Sequence, residues 1–219
     1  MFRTVTIARE YGSGGAAIAR KVAKNLGWRL LDGNLVDSVS RVAQVEPETA
    51  RRYDESIDSW WHRLNRAGLW AAAVWGGTDA DEIRFFDAAT MASFTEGVIL
   101  RAANKGACVI VGRGAQCTLQ NDPTAFHVFV CAPWRQRVAR VRGRVPEGEH
   151  IEERIRSIDR IRAEYIRRYF GCNWKDPHLY HMMVSSDLGE EQVTDLIVGA
   201  VEGLDHSPVA RSAVGVMQL

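Results

Sequence analysis

The stretch IAREYGSGGAAIAR, residues 7–20, decides the fold of this 219-residue chain. Residues Arg3 to Ala8, which lead into it, alternate in polarity and are rich in β-branched side chains, as is typical of a strand. After its glycines, Ile18, Val22 and Leu26 stand four positions apart, which is a helical spacing. The stretch therefore predicts a strand, a glycine-rich connection and a helix.

The glycine-rich connection is a candidate binding site for phosphate. Gly12, Ser13, Gly14 and Gly15 lie between the predicted strand and the predicted helix, where backbone N–H groups and the start of a helix face an anion. Glycines allow a close approach because they carry no side chain. The alternative is a tight turn that serves only to pack the strand against the helix.

The connection departs from the common phosphate-binding motif G-x-x-x-x-G-K-[ST] at three positions. With Gly14 as its last glycine, Arg9 replaces the first glycine, Gly15 the lysine and Ala16 the hydroxyl residue. It therefore lacks the cation for the terminal phosphates and the hydroxyl group for magnesium. The basic residues near the connection are candidates for the missing charge: Arg9, Arg20 and Lys21.

Further along the chain, apolar runs alternate with helical patterns. ACVIVGRGA (residues 107–115) and AFHVFVCA (residues 125–132) are continuous apolar runs, and HMMVSS (residues 181–186) is the last predicted strand. Strands that are apolar throughout are typical of a parallel sheet covered by helices on both faces. We therefore predict an α/β fold with a doubly wound parallel sheet.

The composition excludes several other classes of protein. The net charge of +1 gives no general case for nucleic acid or an anionic membrane, and the chain has no run of about 18 apolar residues. Cys108, Cys117, Cys131 and Cys172 show neither C-x-x-C spacing nor metal-ligand spacing with histidine, so no zinc site is expected. We expect a cytoplasmic protein with reduced thiols.

Four tryptophans, Trp60, Trp61, Trp70 and Trp75, lie close together in residues 59–81. One interpretation is that they pack on the core or on a second subunit. Packing on a second subunit would make the protein a homodimer through this segment. The other interpretation is that they form an aromatic wall over a bound base.

Positive charge is concentrated between Arg135 and Arg168. This segment contains 11 arginines and 6 acidic residues, and a solvated helix face is the default explanation for most of them. RNA binding is a second explanation, although regular interleaving with aromatic residues is lacking. The third is phosphoryl transfer, which needs positive charge around the phosphate, and guanidinium groups suit phosphate geometry.

Arg162 stands apart by its position on the helix predicted over residues 149–169. At about 100° per residue, Arg162 lies about 20° from Ile151 on the apolar side, and Arg160 lies on the opposite side. The apolar side consists of Ile151, Ile155, Ile158, Ile161, Tyr165 and Tyr169. A charge on an inward side needs a partner, which is either Asp159 or a bound phosphate.

The order of these motifs resembles the cytidylate-kinase-like branch of the P-loop nucleoside monophosphate kinases. AREYGSGG (residues 8–15) followed by IVGRG (residues 110–114) is fairly specific to that branch, in which a loop without the lysine is usual. The resemblance extends over roughly residues 4–201. It implies a parallel core of about five strands, and ATP with Mg²⁺ as the phosphoryl donor.

The resemblance also implies a domain organisation. Residues 1–204 would form a single P-loop kinase-like domain, followed by a loose C-terminal tail at 205–219. Within the domain, residues from about 34 to 90 would be a helical insertion that binds the acceptor. Residues from about 142 to 180 would form a mobile lid.

Position by position, the resemblance assigns roles to four residues. Asp32 stands at the aspartate of an L-D-[TS]-G motif and would position the acceptor or magnesium. Arg113 stands at the arginine of a G-R-D motif, whose role is to bind the phosphate or the base of the acceptor. Asp159 and Arg162 match a D-x-x-R motif beside the lid, in which the arginine reaches the transferring phosphate.

Three residues of this chain differ from the motifs of that branch, so two functions have to be considered. Gly33 replaces a hydroxyl residue that contacts the monophosphate, Ser38 an arginine that clamps its phosphate, and Gly114 the aspartate of G-R-D. The first function is phosphoryl transfer from ATP to a nucleoside monophosphate, such as CMP or dCMP, or to a similar small acceptor. The alternative is a nucleotide-binding regulatory protein that has lost efficient catalysis.

The arginine-rich segment is expected to serve a small ligand and not a nucleic acid or a membrane. We predict no retention of RNA or DNA at physiological ionic strength, measured by fluorescence anisotropy over a salt series. Binding through several phosphates would weaken steeply with salt, because each contact releases counterions. Tight binding with that salt dependence would contradict the prediction.

Overall fold

The computed structural model describes residues 1–32, 88–145 and 150–205. By its internal contacts the chain divides into two compact units, Met1–Asp32 with Ile99–Leu219, and Gly33–Val98. The elements described below belong to the first unit, except for the first part of the helix that begins at Ala88. Most of the predicted helical insertion, residues 34–87 with the Trp-rich segment 59–81, and residues 206–219 of the predicted tail lie outside the described residues.

Five parallel strands of the described residues form one sheet in the order β2–β3–β1–β4–β5. The strands are β1 (Thr4–Arg9), β2 (Arg29–Leu31), β3 (Cys108–Val111), β4 (Ala125–Cys131) and β5 (Met182–Ser185). The three central strands β3, β1 and β4 are buried on both faces, which explains why they are apolar over most of their length. The predicted α/β fold with a parallel sheet is confirmed.

Helices connect the strands and cover both faces of the sheet. They are α1 (Gly15–Leu26), α2 (Ala88–Lys105), α3 (Ala115–Thr118), α4 (Trp134–Arg142), α5 (Ile151–Phe170) and α6 (Glu190–Asp205), with short 3-10 turns at Pro177–Leu179 and Ser186–Leu188. Gly27 ends α1, as its sequence position predicts, in a left-handed conformation with φ of 65°. Within the described residues, none of the helices combines the length and the apolar character needed to cross a membrane.

Alternate side chains of the central strands pack on opposite faces of the sheet. On one face, Val5 and Ile7 of β1 pack against α1 and α6. On the other face, Phe129 of β4 packs with Ile166 of α5 and with Trp174. Burying each large apolar side chain contributes about 1.5–3 kcal/mol, so both helical layers are held to the sheet. The four cysteines all lie in the described residues and are free thiols.

The carboxyl ends of the parallel strands share one edge of the sheet, where ligands bind in folds of this kind. The glycine-rich connection follows Arg9 of β1 at this edge. Asp32 follows β2, and the turn of residues 112–114 follows β3. The fold therefore gathers three of the predicted site segments on one side of the sheet.

His127 of β4 is a polar residue inside the core, with 3% of its surface exposed. Its Nε2 lies 3.2 Å from the Leu119 carbonyl oxygen, so Nε2 carries the hydrogen and donates it. Its Nδ1 accepts a hydrogen bond from the Thr6 hydroxyl group at 2.8 Å. Burial, with a smaller effect of the nearby His181, lowers the pKa of His127 to about 4. The ring is therefore neutral at pH 7.

Neutral burial of His127 predicts a pH dependence of stability. The unfolded chain takes up a proton with a pKa of 6.5, whereas the folded chain resists protonation until the pH approaches about 4. Stability is therefore fully present above pH 6.5 and is lost as the pH falls toward 4. Between about pH 7.5 and pH 5, the wild type should lose about 2 kcal/mol more than His127→Gln. Urea unfolding of both proteins measures this difference, and parallel pH curves would contradict it.

Candidate active site

The glycine loop, residues 10–15, connects β1 to α1 at the shared edge of the sheet. Gly12 and Gly14 both have φ of 80°, a left-handed conformation that glycine adopts readily because it has no Cβ. Gly14 immediately precedes the first turn of α1. Ser13 is fully buried, and its N–H donates to the Glu10 carbonyl oxygen at 3.2 Å.

Several backbone donors of the glycine loop fit an anion. Within the described residues, the N–H groups of Gly12, Gly14 and Ala16 make no hydrogen bond. The N–H of Gly15 makes only a long contact, 3.4 Å, with Oγ of Ser13. Donors of this kind at the start of a helix bind phosphate groups, since the helix dipole also favours negative charge there.

A buried network of charges holds the glycine loop. Arg137 of α4 is 5% exposed, and its Nε donates to the Tyr11 carbonyl oxygen at 2.7 Å. Its guanidinium group also pairs with Glu10 at 3.4 Å and with Asp159 of α5. Asp159 in turn accepts the Tyr11 N–H at 2.8 Å through Oδ1. The described contacts of Asp159 therefore fix the backbone of the loop at Tyr11.

A second arginine of α4 joins the glycine loop to the residues after β5. Arg140 donates to the Ser13 carbonyl oxygen at 3.2 Å and to Oγ of Ser186 at 2.9 Å. The expectation of a solvated helix face is wrong for Arg137 and Arg140, because α4 packs this face on the loop. In the sequence, this packing is indicated by the helical spacing of Arg137 and Arg140 with Val141, which is buried and lies on the same side of α4.

Arg162 lies on the inward side of α5. It is half-buried, whereas Arg160 on the opposite side is exposed. The fully buried residues of the helix are Ile155, Ile158 and Ile166. At about 100° per residue, Arg162 lies within about 10° of their mean direction. The sequence predicts that Tyr165 and Tyr169 belong to the apolar side of the helix. Both are half-buried, and Ile166 is the buried residue in this part of α5.

The head of Arg162 reaches the carboxyl end of β1. Its Nη1 donates to the Arg9 carbonyl oxygen at 3.0 Å. Its guanidinium carbon lies 5.7 Å from the centre of the Tyr11 ring, and that of Arg154 lies 6.0 Å from the same ring. Arg154 also donates from Nε to the Tyr11 hydroxyl oxygen at 3.2 Å. The guanidinium groups of Arg154 and Arg162 therefore both lie beside the Tyr11 ring, within the range of cation–π contacts.

The structure distinguishes the three basic residues that are candidates for the missing loop charge. Arg20 is exposed. Lys21 pairs with Glu190 at 3.5 Å and with Glu191 at 2.5 Å, and the hydrogen bond to Glu191 is the main cause that raises the pKa of Lys21. Arg9 differs from both, since it extends across the start of α1.

The Arg9 side chain covers the position of the usual lysine. A Cβ atom placed on Gly15 would lie 2.8 Å from Cβ of Arg9 and 3.3 Å from its Cδ. A Cβ atom placed on Gly112 would lie 2.8 Å from Nη1 of Arg9. The Nη2 atom lies 4.0 Å from Oδ1 of Asp32, and the side chain is 17% exposed. Arg9 therefore runs from the glycine loop toward the ends of β3 and β2.

The turn after β3 has a left-handed backbone at three successive residues. Gly112, Arg113 and Gly114 have φ of 69°, 60° and 75°, and such values are uncommon for a residue other than glycine. Arg113 is half-buried in this turn. A Cβ atom on Gly114 would overlap the ring of Phe170, the last residue of α5. A side chain at this position, such as the aspartate of the G-R-D motif, would therefore require the Phe170 ring to move.

None of the curated proteins matches this chain. Among solved structures, an uncharacterized protein from Eubacterium ventriosum ATCC 27560 is 21% identical with a TM-score of 0.63, and the match covers 91% of this chain and 98% of that chain. A shikimate kinase from Bacteroides thetaiotaomicron is 13% identical with a TM-score of 0.53, with 91% and 98% covered.

A further solved structure, a sugar kinase from Janibacter sp. HTCC2649, is 17% identical with a TM-score of 0.50, and the match covers 96% of this chain and 98% of that chain. These likenesses show the fold, which is that of the P-loop kinases. Residues 4–188 match the cytidylate kinase-like family. Family and fold together support phosphoryl transfer as the general class of reaction. The chain belongs to the cytidylate kinase-like family.

Proposed function

We propose that this protein transfers the terminal phosphoryl group of ATP to a nucleoside monophosphate, such as CMP or dCMP, or to a similar small acceptor. The glycine loop carries the proposal, because its backbone N–H groups lie at the edge of the sheet to which Arg9 and Arg162 also extend. Phosphoryl transfer requires little covalent chemistry from the protein. It depends on positioning and on positive charge.

The donor phosphates bind the glycine loop in this proposal. The N–H groups of Gly12, Gly14 and Gly15 are the principal donors, because the N–H of Ser13 already binds the Glu10 carbonyl oxygen. The start of α1 adds a favourable potential for the anion. The buried side chain of Ser13 supports the shape of the loop.

Arg162 and Asp159 have different roles in this proposal. Arg162 stabilises the transferring phosphoryl group, since its head lies beside the loop and a guanidinium group carries five N–H donors and a permanent charge. Asp159 acts as a positioning residue, because it holds the Tyr11 N–H at 2.8 Å. No general base is required beyond the positioning of the reactants.

The acceptor binds at the ends of β2 and β3. Arg113 contacts its phosphate or its base, and the left-handed backbone of Arg113, with φ of 60°, agrees with the frequent occurrence of strained residues at functional sites. Asp32 presents a carboxylate to the same edge, 4.0 Å from Arg9. That carboxylate is able to bind a hydroxyl group of the acceptor.

Magnesium is the metal that the family implies, and the residues of the site fit it. Mg²⁺ keeps several water ligands and usually binds one or two carboxylates together with substrate phosphates. Asp32 is therefore a sufficient protein contact, although the described residues contain no group of three or more His, Cys, Asp or Glu that would hold a metal. The bound ion supplies charge neutralisation of the donor phosphates.

A second function, a nucleotide-binding regulatory protein with weak catalysis, is favoured by different observations. The loop has neither the lysine nor the hydroxyl residue of the common motif, and Gly114 stands in place of an aspartate. The ring of Phe170 fills the space that a side chain at Gly114 would need. Such changes would preserve nucleotide binding and lower the rate of transfer.

An assay of ADP release from ATP and Mg²⁺ separates the two functions. The acceptors tested are CMP, dCMP, UMP, AMP and GMP, with shikimate and hexoses added because proteins of this fold are named shikimate kinase and sugar kinase. We expect saturable turnover with a nucleoside monophosphate. Binding of ATP without turnover on any acceptor would favour the regulatory function, and absence of ATP binding would contradict both.

Arg162 offers a sharper test of the catalytic assignment. We predict that Arg162→Lys lowers turnover by about 100-fold or more with little change in melting temperature. Lysine keeps the charge and the aliphatic stem but loses the planar fork of donors. Arg160→Lys, on the exposed side of α5, is the matched control and should stay within about twofold. Equally small effects would leave Arg162 as a structural partner of the Arg9 carbonyl group.

A further inference from the structure

We propose that Arg9 binds the terminal phosphates of the donor nucleotide, in place of the lysine that the glycine loop lacks. This inference rests on the proposed function, because it assigns a residue to the donor site of that reaction. In the common loop the lysine directly follows the last glycine, and that position is Gly15 in this chain. The charge must therefore come from another part of the fold.

The stem of Arg9 occupies the space that a side chain at position 15 would need. A Cβ atom on Gly15 would lie 2.8 Å from Cβ of Arg9, well inside the optimal separation of carbon atoms, about 3.5–4.0 Å. The Cβ of Arg9 is fixed to β1 and does not move unless the strand moves. A lysine at position 15 and the arginine at position 9 therefore exclude each other.

The head of Arg9 lies between the donor side and the acceptor side of the site. Its Nη1 lies close to Gly112, in the turn that also contains Arg113. Its Nη2 lies 4.0 Å from Oδ1 of Asp32, after β2. A phosphate bound at the glycine loop and an acceptor bound at these turns would both lie within reach of this guanidinium group.

The other basic residues around the described part of the loop have different contacts. Arg137 and Arg140 donate to carbonyl oxygens of the loop itself. Lys21 pairs with two glutamates of α6, and Arg20 is exposed. Arg9 is the basic residue whose stem crosses the first residue of α1, which is where the common lysine begins.

A guanidinium group suits the assigned role. It stays charged, and its planar fork donates two parallel hydrogen bonds to phosphate oxygens, whereas an ammonium group acts as a point charge. The backbone of Arg9 is held at its carbonyl oxygen by Arg162 at 3.0 Å. Binding of a phosphate therefore requires only the side chain of Arg9 to adjust.

The first experiment measures nucleotide affinity by isothermal titration calorimetry with ATP–Mg²⁺ and with adenosine. Arg9→Ala should weaken ATP binding by about 10- to 100-fold, as expected for the loss of a charged hydrogen bond, and should leave adenosine binding within about twofold. Arg9→Lys should lie between the wild type and Arg9→Ala, because it keeps the charge. Arg20→Ala removes an exposed arginine of α1 and is the matched control, with both affinities unchanged.

The second experiment exchanges the two positions. Gly15→Lys alone should lose ATP binding and melt at a lower temperature, because its side chain overlaps Arg9. The double variant Arg9→Gly/Gly15→Lys removes the overlap, because the closest contact is with Cβ of Arg9, and it should bind ATP about tenfold more tightly than Arg9→Gly, since it restores one charged contact. Without nucleotide, Gly15→Ala should lower the melting temperature in the wild-type background and much less in Arg9→Gly, which lacks the Cβ that a side chain at position 15 would meet.

The outcomes separate this inference from the proposed function. If the wild type binds ATP and Arg9→Ala binds it equally well, the role of Arg9 is overturned and the proposed function stands. Equal losses of ATP and adenosine affinity would indicate a purely structural role and would also overturn it. If the wild type binds no ATP, both proposals fail. Arg9→Gln, which keeps most of the stem, replaces Arg9→Ala if the latter does not fold.

Discussion

The buried pairing of Arg137 with Asp159 and Glu10 is the interaction on which the geometry of the site depends. It joins the end of β1, α4 and α5 through a guanidinium group that is only 5% exposed. Removal of one partner from such a pair costs about 3–5 kcal/mol, because the other charge remains buried and unpaired. Arg137 and Asp159 also bind the carbonyl and N–H groups of Tyr11. The pairing therefore fixes the backbone from which the glycine loop begins.

The helix α5, which supplies Asp159 to this pairing, contributes to both sides of the candidate site. Asp159 holds the loop, and Arg162, one turn later, reaches the end of β1. At the end of the helix, Phe170 packs on Gly114 in the turn after β3. The rise from Asp159 to Phe170 is about 16 Å. One continuous helix thus contacts the glycine loop and the turn after β3, so that a displacement of α5 would change both.

The fold and the position of the glycine loop are predictable from the sequence because they depend on local patterns. Continuous apolar runs predict β3 and β4, and the helical period predicts the inward position of Arg162. The spacing of Arg137 with Val141 indicates its inward position, but its partner is not predictable in this way, because the contact with Tyr11 joins residues 126 positions apart. The same holds for the stem of Arg9 over Gly15, since the local sequence does not determine which of the three nearby cations crosses the loop.

Two glycines, Gly15 and Gly114, stand where related motifs have functional side chains, and the structure gives them different meanings. In both cases a residue from another position fills the space: Arg9 at Gly15 and Phe170 at Gly114. Arg9 brings a positive charge to the place of a lysine, so the proposed function retains a cation on the donor side. Phe170 brings an apolar ring to the place of a carboxylate, so under the proposed function a polar contact with the acceptor is not replaced there. Under the proposed function, the departures from the cytidylate-kinase motifs therefore concern the recognition of the acceptor more than the binding of the donor.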